Sequence, residues 1–343
     1  MRVLVVGAGA VGSLLAFALA RGGADVTLVR RQHIGGPSSG PIDVRRRTHR
    51  LSVRVDVVAH PTDARTPDVI LIAVKQFDLP EALESIKSFP SALLVTPENG
   101  IGAEEVALAA RPEGRLIAAS VTASVARLPD DGIEWLTTGG IGLAAAHGDV
   151  LDVATSLAAT LGLGGLPAAI LPSAAAMKWS KLLANVVGNA TSALLDLDPA
   201  VIYADRHLFR VERRQLLEVL AVMRARGLRT VDLPGARISL LASAVRLPEA
   251  FAWLALTRVV RGARGGKDPS LRVALAAGGP TEVAWLNGAV AAAADEMGLA
   301  APINAGLSSL VAEATLDGTR RAWFRGRPAR LLDALRMEGP DRQ

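Results

Sequence analysis

The sequence predicts an α/β protein in which a doubly wound parallel sheet comes first and an all-α domain second. Three observations carry this. Short apolar, β-branched runs alternate with helical stretches from Arg2 to about Ser120, and a Gly-x-Gly-x-x-Gly run spans the first strand–helix junction. After Pro172 the pattern turns to Ala, Leu, Arg and Glu at helical spacing. The expected domains are 1–171 and 172–343.

Arg2 to Val6 is a strand-like run stopped by Gly7, and Ala10 to Ala20 supplies the small and apolar residues of a buried helix. Asp25 to Val29 is the second strand and completes a βαβ unit of about 30 residues. Val53 to Ala59, Asp68 to Val74, Ala92 to Thr96 and Arg115 to Ser120 follow as strands, with helices near Leu79 to Ser88 and Gly102 to Ala110. Gly36 to Arg50, rich in Gly, Pro, Ser and Arg, predicts a surface loop. Arg127 to Gly142, with Thr137, Thr138, Gly139 and Gly140, predicts added strands and turns at an antiparallel edge. Helices are expected over Ala174 to Leu195, Asp205 to Arg226, Ala236 to Val245, Thr281 to Met297 and Asn304 to Ala314.

Half of the 343 residues are hydrophobic and 21% are charged, which excludes disorder over most of the chain. Cysteine is absent, so there is no disulfide, thiolate nucleophile or cysteine-bound metal. His33, His49, His60, His147 and His207 show no paired ligand spacing, and no metal is expected. A net charge of +5 and a pI near 10.2 suit nucleic acid, an anionic membrane or a small phosphorylated or carboxylated ligand. Of the two uncharged stretches, Val3 to Ala20 carries Gly7, Gly9 and Gly12 in a strand-to-helix rhythm and reads as soluble core, and Val153 to Met177 carries glycines and prolines that would break a spanning helix. The expectation is a soluble, cytoplasmic protein.

Gly7-Ala8-Gly9-Ala10-Val11-Gly12 follows a strand and opens a helix, the context that makes a glycine run a dinucleotide cradle of Rossmann type. The first glycine permits the turn, the second admits a pyrophosphate, and the third lets helix and strand pack. The second strand ends in Arg30-Arg31 with no carboxylate, which favours the 2′-phosphate of NADPH over the ribose hydroxyls of NADH. Lys75 and Asn99 each follow an apolar strand, where ligands bind in open sheets; ordinary loop capping explains them equally well.

Ser173 reads as an N-cap, and Lys181, Asn185 and Asn189 at i, i+4 and i+8 share one face of the helix that follows. A lysine there suits a general acid, although a solvent stripe has the same periodicity. Further on, Lys267-Asp-Pro-Ser270 and Pro280-Thr281-Glu282 stand out, with Glu282 expected in the first turn of a helix and Ser270 equally readable as an N-cap.

These residues occur in one order, and the sequence closely resembles the ketopantoate reductase (2-dehydropantoate 2-reductase) family from Met1 to about Ala314. The Lys-Asn-Asn helix combined with Pro-Thr-Glu is far more specific than the glycine run. The resemblance implies a Rossmann domain, a helical domain and a cleft where NADPH reduces a 2-oxo acid. It makes Lys181 the proton donor, gives substrate to Asn185, Asn189 and Ser270, lets Asn99 touch both ligands, and places Arg31, Lys75 and Glu282 with the cofactor. Two departures concern the substrate rim: Gly278-Gly279-Pro280 stands where members often have Gly-Arg-Pro, and Arg272 to Ala276 lacks an aspartate. The tail from Arg320 to Arg336 lies beyond the motifs and reads as a packed or dimer-forming extension, with a homodimer as the candidate assembly.

The expected activity is NADPH-dependent reduction of 2-dehydropantoate to (R)-pantoate. The alternatives are reduction of another branched 2-oxo acid and non-catalytic sensing of NADPH. Nucleic acid and membrane are not expected partners.

Overall fold

The computed structural model describes residues 1–31, 36–137, 139–263 and 268–336; His33, Thr138 and Lys267, named above, fall outside them. The chain forms two compact units, Met1–Lys178 with Asp232–Ala236, and Trp179–Val231 with the chain from Arg237 onward.

The first unit is a Rossmann-type sheet. Its strands are β1 (Arg2–Val6), β2 (Asp25–Val29), β3 (Ser38–Arg46), β4 (His49–Val58), β5 (Val69–Ile72), β6 (Leu93–Thr96), β7 (Leu116–Val121), β8 (Val125–Arg127), β9 (Ile133–Trp135), β10 (Ile141–His147) and β11 (Ala168–Ile170). They form one sheet in the order β11-β10-β7-β6-β5-β1-β2-β4-β3-β9-β8, in which β7-β6-β5-β1-β2-β4 run parallel. The chain moves outward from β1 to β4, then returns to β5 and proceeds the other way. That reversal opens a crevice beyond the carboxyl ends of β1 and β5.

Helices α1 (Ala10–Arg21), α2 (Leu79–Ser85), α3 (Ala103–Ala110) and α4 (Leu151–Leu163) cover the sheet. Alternate residues of β1 feed different faces: Val3 and Val5 pack with α1 and α4, Leu4 and Val6 with α2 and α3. A strand buried on both sides must be apolar throughout, which is why it reads as an unbroken run.

The loop expected over Gly36 to Arg50 is instead most of a hairpin. β3 and β4 pair antiparallel from Ser38↔Val57 to Arg46↔His49. Ile42, Val44, Val55 and Val57 point inward while Asp43 and Arg45 do not, so a period-2 pattern lay beneath a composition typical of loops. Pro41 is tolerated because β9 pairs with β3 at Val44 and Arg45 and not at Pro41. The added strands expected beyond Arg127 are present: β8 and β9 form a hairpin, and β10 pairs antiparallel with β7.

The second unit is helical, formed by the rest of α5 (Ala174–Val186), α6 (Ala190–Leu195), α7 (Pro199–Ala204), α8 (Arg206–Ala225), α9 (Ile238–Arg246), α10 (Glu249–Ala263), α11 (Ser270–Ala276), α12 (Asn287–Glu296), α13 (Pro302–Leu316), α14 (Gly318–Phe324) and α15 (Pro328–Ala334). Two expected helices are broken. Ala174 to Leu195 divides at Gly188, whose φ of 58° is left-handed. Thr281 to Met297 is a 3-10 turn at Val283–Trp285 followed by α12, so Glu282 precedes the turn and is not in a helix.

Buried carboxylates serve this unit as caps. Glu218 accepts from the backbone N–H groups of Ile303 and Asn304 at the start of α13, and burial still raises its pKa above the usual range. Asn287, Asn304 and Gln215 complete the network. The tail packs onto the unit through Phe324, Leu331 and Leu332, all buried. No helix among the described residues is long and apolar enough to cross a membrane.

Asp196, in a left-handed conformation after α6, joins α11 to the tail. Its carboxylate meets Arg272 at 2.9 Å and Arg325 at 2.9 Å. Burial alone would raise its pKa, but the two guanidinium groups outweigh burial and hold it below the usual carboxylate range. A lowered acid contributes stability above its unfolded pKa and loses it as pH falls through the folded value. Asp196→Asn is therefore expected to lose on the order of 1 kcal/mol at pH 7. In chemical denaturation, the difference between wild type and variant should begin to shrink as pH falls below about 4 and disappear only below the lowered folded value.

Candidate active site

The glycine turn lies at the reversal between β1 and β5. Gly7 has φ +107°, and a Cβ there would lie 2.5 Å from the Ala73 carbonyl oxygen. A Cβ on Gly12 would lie 1.9 Å from the Gly7 oxygen, so helix and turn touch backbone to backbone. Gly9 differs: a Cβ would meet nothing within 4 Å, and the residue is exposed. Gly9 is also the N-cap of α1, with no side-chain cap and no acidic residue in the first turn. Ala8, Ala10 and Val11 pack partly against the core. The arrangement fits a dinucleotide pyrophosphate: open space over Gly9, and helix-start N–H groups that no side chain has claimed.

The neighbouring strand ends supply polar groups. Arg30 follows β2, its Nη1 3.7 Å from Asp131, and Arg31 lies 3.4 Å from Glu81 with more than half its side chain exposed. Lys75 follows β5 and is exposed; Asn99 follows β6 and is partly buried. Gln76, next to Lys75 and not singled out in the sequence, donates from Nε2 to the Asn99 carbonyl at 3.2 Å and so links the two loops. Arg127 is a second residue the sequence reading missed, since 119 positions separate it from its partner: its Nη1 donates to the Ala8 carbonyl at 2.8 Å.

Lys178 fixes the strand end that carries Asn99. Its Nζ donates to the carbonyls of Thr96 (3.0 Å) and Glu98 (2.9 Å) and pairs with Glu104 at 2.9 Å, while the side chain is only 4% exposed. Thr96 Oγ1 donates to the same Glu104 oxygen.

The remaining candidates belong to the helical unit, apart from Ser173, which is still in the first unit and caps α5 through the Ala176 N–H, as expected. Lys181 and Asn185, one turn apart and partly buried, share a helix face, and Leu182, Leu183 and Val186 beside them are fully buried. Asn189 is not a third member of that face, because α5 ends at Val186 and Asn189 stands before α6. Its amide is engaged at both ends, accepting from Leu271 N–H (3.1 Å) and donating to Ser270 Oγ (3.4 Å). Ser270 itself is exposed and is the first residue of α11, with Pro269 and not Ser270 as the N-cap. Glu212, wholly buried, secures the break by accepting from Gly188 N–H (2.6 Å), Thr191 Oγ1 (2.5 Å) and the Tyr203 hydroxyl (3.0 Å). Burial raises its pKa despite those bonds. Glu282 is buried at the start of its 3-10 turn. Among the described residues no group of three or more acidic or histidine side chains is close enough to hold a metal.

Two glycine variants separate packing from ligand binding. Gly9→Ala is expected to keep wild-type thermal stability, since its φ of −69° and empty surroundings accept a methyl group, yet to weaken pyridine-nucleotide binding about tenfold or more. Gly12→Ala should cost about 1–3 kcal/mol or more of stability through overpacking. Thermal unfolding with calorimetric titration checks both; unaltered binding by Gly9→Ala would remove the turn from the cofactor site.

Two family models match the chain: ketopantoate reductase PanE/ApbA over residues 3–148, and ketopantoate reductase PanE/ApbA C terminal over residues 174–315. A 2-dehydropantoate 2-reductase of Halobacterium salinarum is 28% identical, over 93% of this chain and all of its own. Among solved structures, a PanE/ApbA family ketopantoate reductase from Ralstonia eutropha superposes with a TM-score of 0.75 at 24% identity, over 94% of this chain and 100% of that one. D-mandelate dehydrogenase with NADH and anilino(oxo)acetate gives 0.74 at 17% identity, over 92% and 98%. The glycine turn, the α5 lysine and the break before Asn189 thus belong to a chain of the ketopantoate reductase family, an NAD(P)H-dependent oxidoreductase.

Proposed function

We propose that the protein uses NADPH to reduce a 2-oxo acid, with 2-dehydropantoate as substrate and (R)-pantoate as product. The observation that carries this reading is the polar face of α5: Lys181 and Asn185 lie one turn apart, partly buried, beside the fully buried Leu182, Leu183 and Val186. A protein that only sensed NADPH would need the glycine turn and the arginines, but not that face.

When bound, the nicotinamide supplies the hydride taken up by the carbonyl carbon. Lys181 gives a proton from its ammonium group to the carbonyl oxygen as negative charge develops there, and solvent returns the proton afterwards. Asn185 offers an amide donor and acceptor to the substrate, and Ser270 offers a hydroxyl. Asn189 acts one step back, because its amide is spent on orienting Ser270 and capping α11. The turn from Gly7 to Gly12 holds the pyrophosphate, Arg30 and Arg31 the 2′-phosphate, and Lys75 adds positive charge; Asn99 and Glu282 complete the ligand contacts. The preference for NADPH rests on the two arginines and the lack of an acidic residue directly after β2.

Lys181→Ala is expected to lower kcat by about 10²–10⁴-fold while NADPH binding stays within twofold of wild type. Cofactor absorbance followed with a panel of branched and aryl 2-oxo acids checks the substrate. Unchanged turnover in the variant refutes the donor role, and a higher kcat/KM for another acid replaces 2-dehydropantoate.

A further inference from the structure

The positive groups beside the glycine turn already hold an anion of the protein's own. Asp131 Oδ1 accepts from Arg127 Nη2 at 2.9 Å, and Asp131 Oδ2 lies 3.7 Å from Arg30 Nη1. Arg127 Nη1 in turn donates to the Ala8 carbonyl in the middle of the glycine turn. One carboxylate therefore bridges two guanidinium groups, one anchored on the turn and one at the end of β2. Those are the places where a dinucleotide fold presents its pyrophosphate and its adenosine ribose contacts.

Three features show that this carboxylate is not there to build its loop. The turn between β8 and β9 is closed by backbone bonds, Leu128 N–H to Gly132 and Asp131 N–H to Leu128, and by Asp130 accepting from Gly132 N–H. Asp131 has φ +65°, a conformation in which Gly or Asn would serve at least as well. Its side chain is 66% exposed, and among the described residues its carboxylate meets only Arg30 and Arg127. Meanwhile Arg30 Nε is buried without a hydrogen-bond partner, so that guanidinium is under-used.

We propose that Asp131 is a resident counter-ion, standing in for a cofactor phosphate between Arg30 and Arg127, and that it sets the preference between NADPH and NADH. The inference rests on reading the glycine turn as the NADPH cradle. An exposed carboxylate on two arginines is weakly held, and a phosphate brings more charge and three acceptor oxygens. NADPH displaces Asp131 and takes both guanidinium groups. NADH, lacking the 2′-phosphate, leaves Asp131 on Arg30, where a carboxylate beside the ribose hydroxyls favours the unphosphorylated cofactor. Asp131 thus narrows a preference that Arg30 alone would make wider.

The test is equilibrium binding of both nucleotides, by calorimetric titration at low and at 150 mM salt, to wild type, Asp131→Asn and Arg30→Ala. Asn suits the left-handed turn, so melting temperature should match wild type. Asp131→Asn is expected to tighten NADPH about fivefold or more, with a steeper salt dependence, and to leave NADH unchanged or weaker. Arg30→Ala should narrow the gap between the two affinities, Arg31 remaining for the 2′-phosphate. If the NADPH-to-NADH affinity ratio of Asp131→Asn equals that of wild type, the counter-ion role fails while the cradle stands. If wild type binds neither nucleotide, the cradle fails and the counter-ion with it.

Discussion

Gly12 sits so close to the carbonyl oxygen of Gly7 that no side chain fits between them, and that contact decides where the first helix begins. Gly7 is pressed in the same way against Ala73, at the end of the strand to which the chain returns. The first turn, the first helix and the returning strand are therefore locked within van der Waals distance of one another. The helix dipole and its unbonded N–H groups consequently face the crevice at the strand ends. The uncapped helix start and the sheet's close packing are one solution to one steric constraint.

The helical unit solves a different problem, that of stopping helices inside a core. Gly188 and its left-handed φ end α5, and the start of α6 directly after it would strand backbone N–H groups in an apolar setting. Glu212 answers by collecting the Gly188 N–H, a threonine and a tyrosine on one carboxylate, and Glu218 does the same for the start of α13. A buried acid is costly to ionise, hence the raised pKa of both groups, and that cost is offset by several donors converging on each. The result is a rigid break that carries Asn189 to Ser270.

Charge follows the same logic at the surface. Arginines that composition alone makes a general basic excess are assigned to particular acids: Arg272 and Arg325 to Asp196, and Arg30 and Arg127 to Asp131. The first set ties the tail to its unit. The second borders the glycine turn, where the phosphates of a nucleotide would compete for it.

Strand and helix identity, the glycine turn and the Lys181–Asn185 face were determined by the sequence itself, because residue spacing along a regular element dictates which side chains share a face. The later part of β4 was legible as the run from Val53, but its pairing with β3 was not: Gly40, Pro41 and three consecutive arginines dominate the composition there, and only a neighbouring strand makes Ile42 and Val44 core residues. The break at Gly188 escaped for the opposite reason: the i, i+4, i+8 spacing of Lys181, Asn185 and Asn189 ran through a glycine that stops the helix, and the Glu212 carboxylate that receives its N–H lies 24 positions away. Arg127 on Ala8, Gln76 on Asn99 and Lys178 on Glu98 are contacts of the same kind. Periodicity is local and can be read off the chain. A hydrogen bond between distant segments exists only once the tertiary structure has brought donor and acceptor together, and those bonds aim the polar groups of the site.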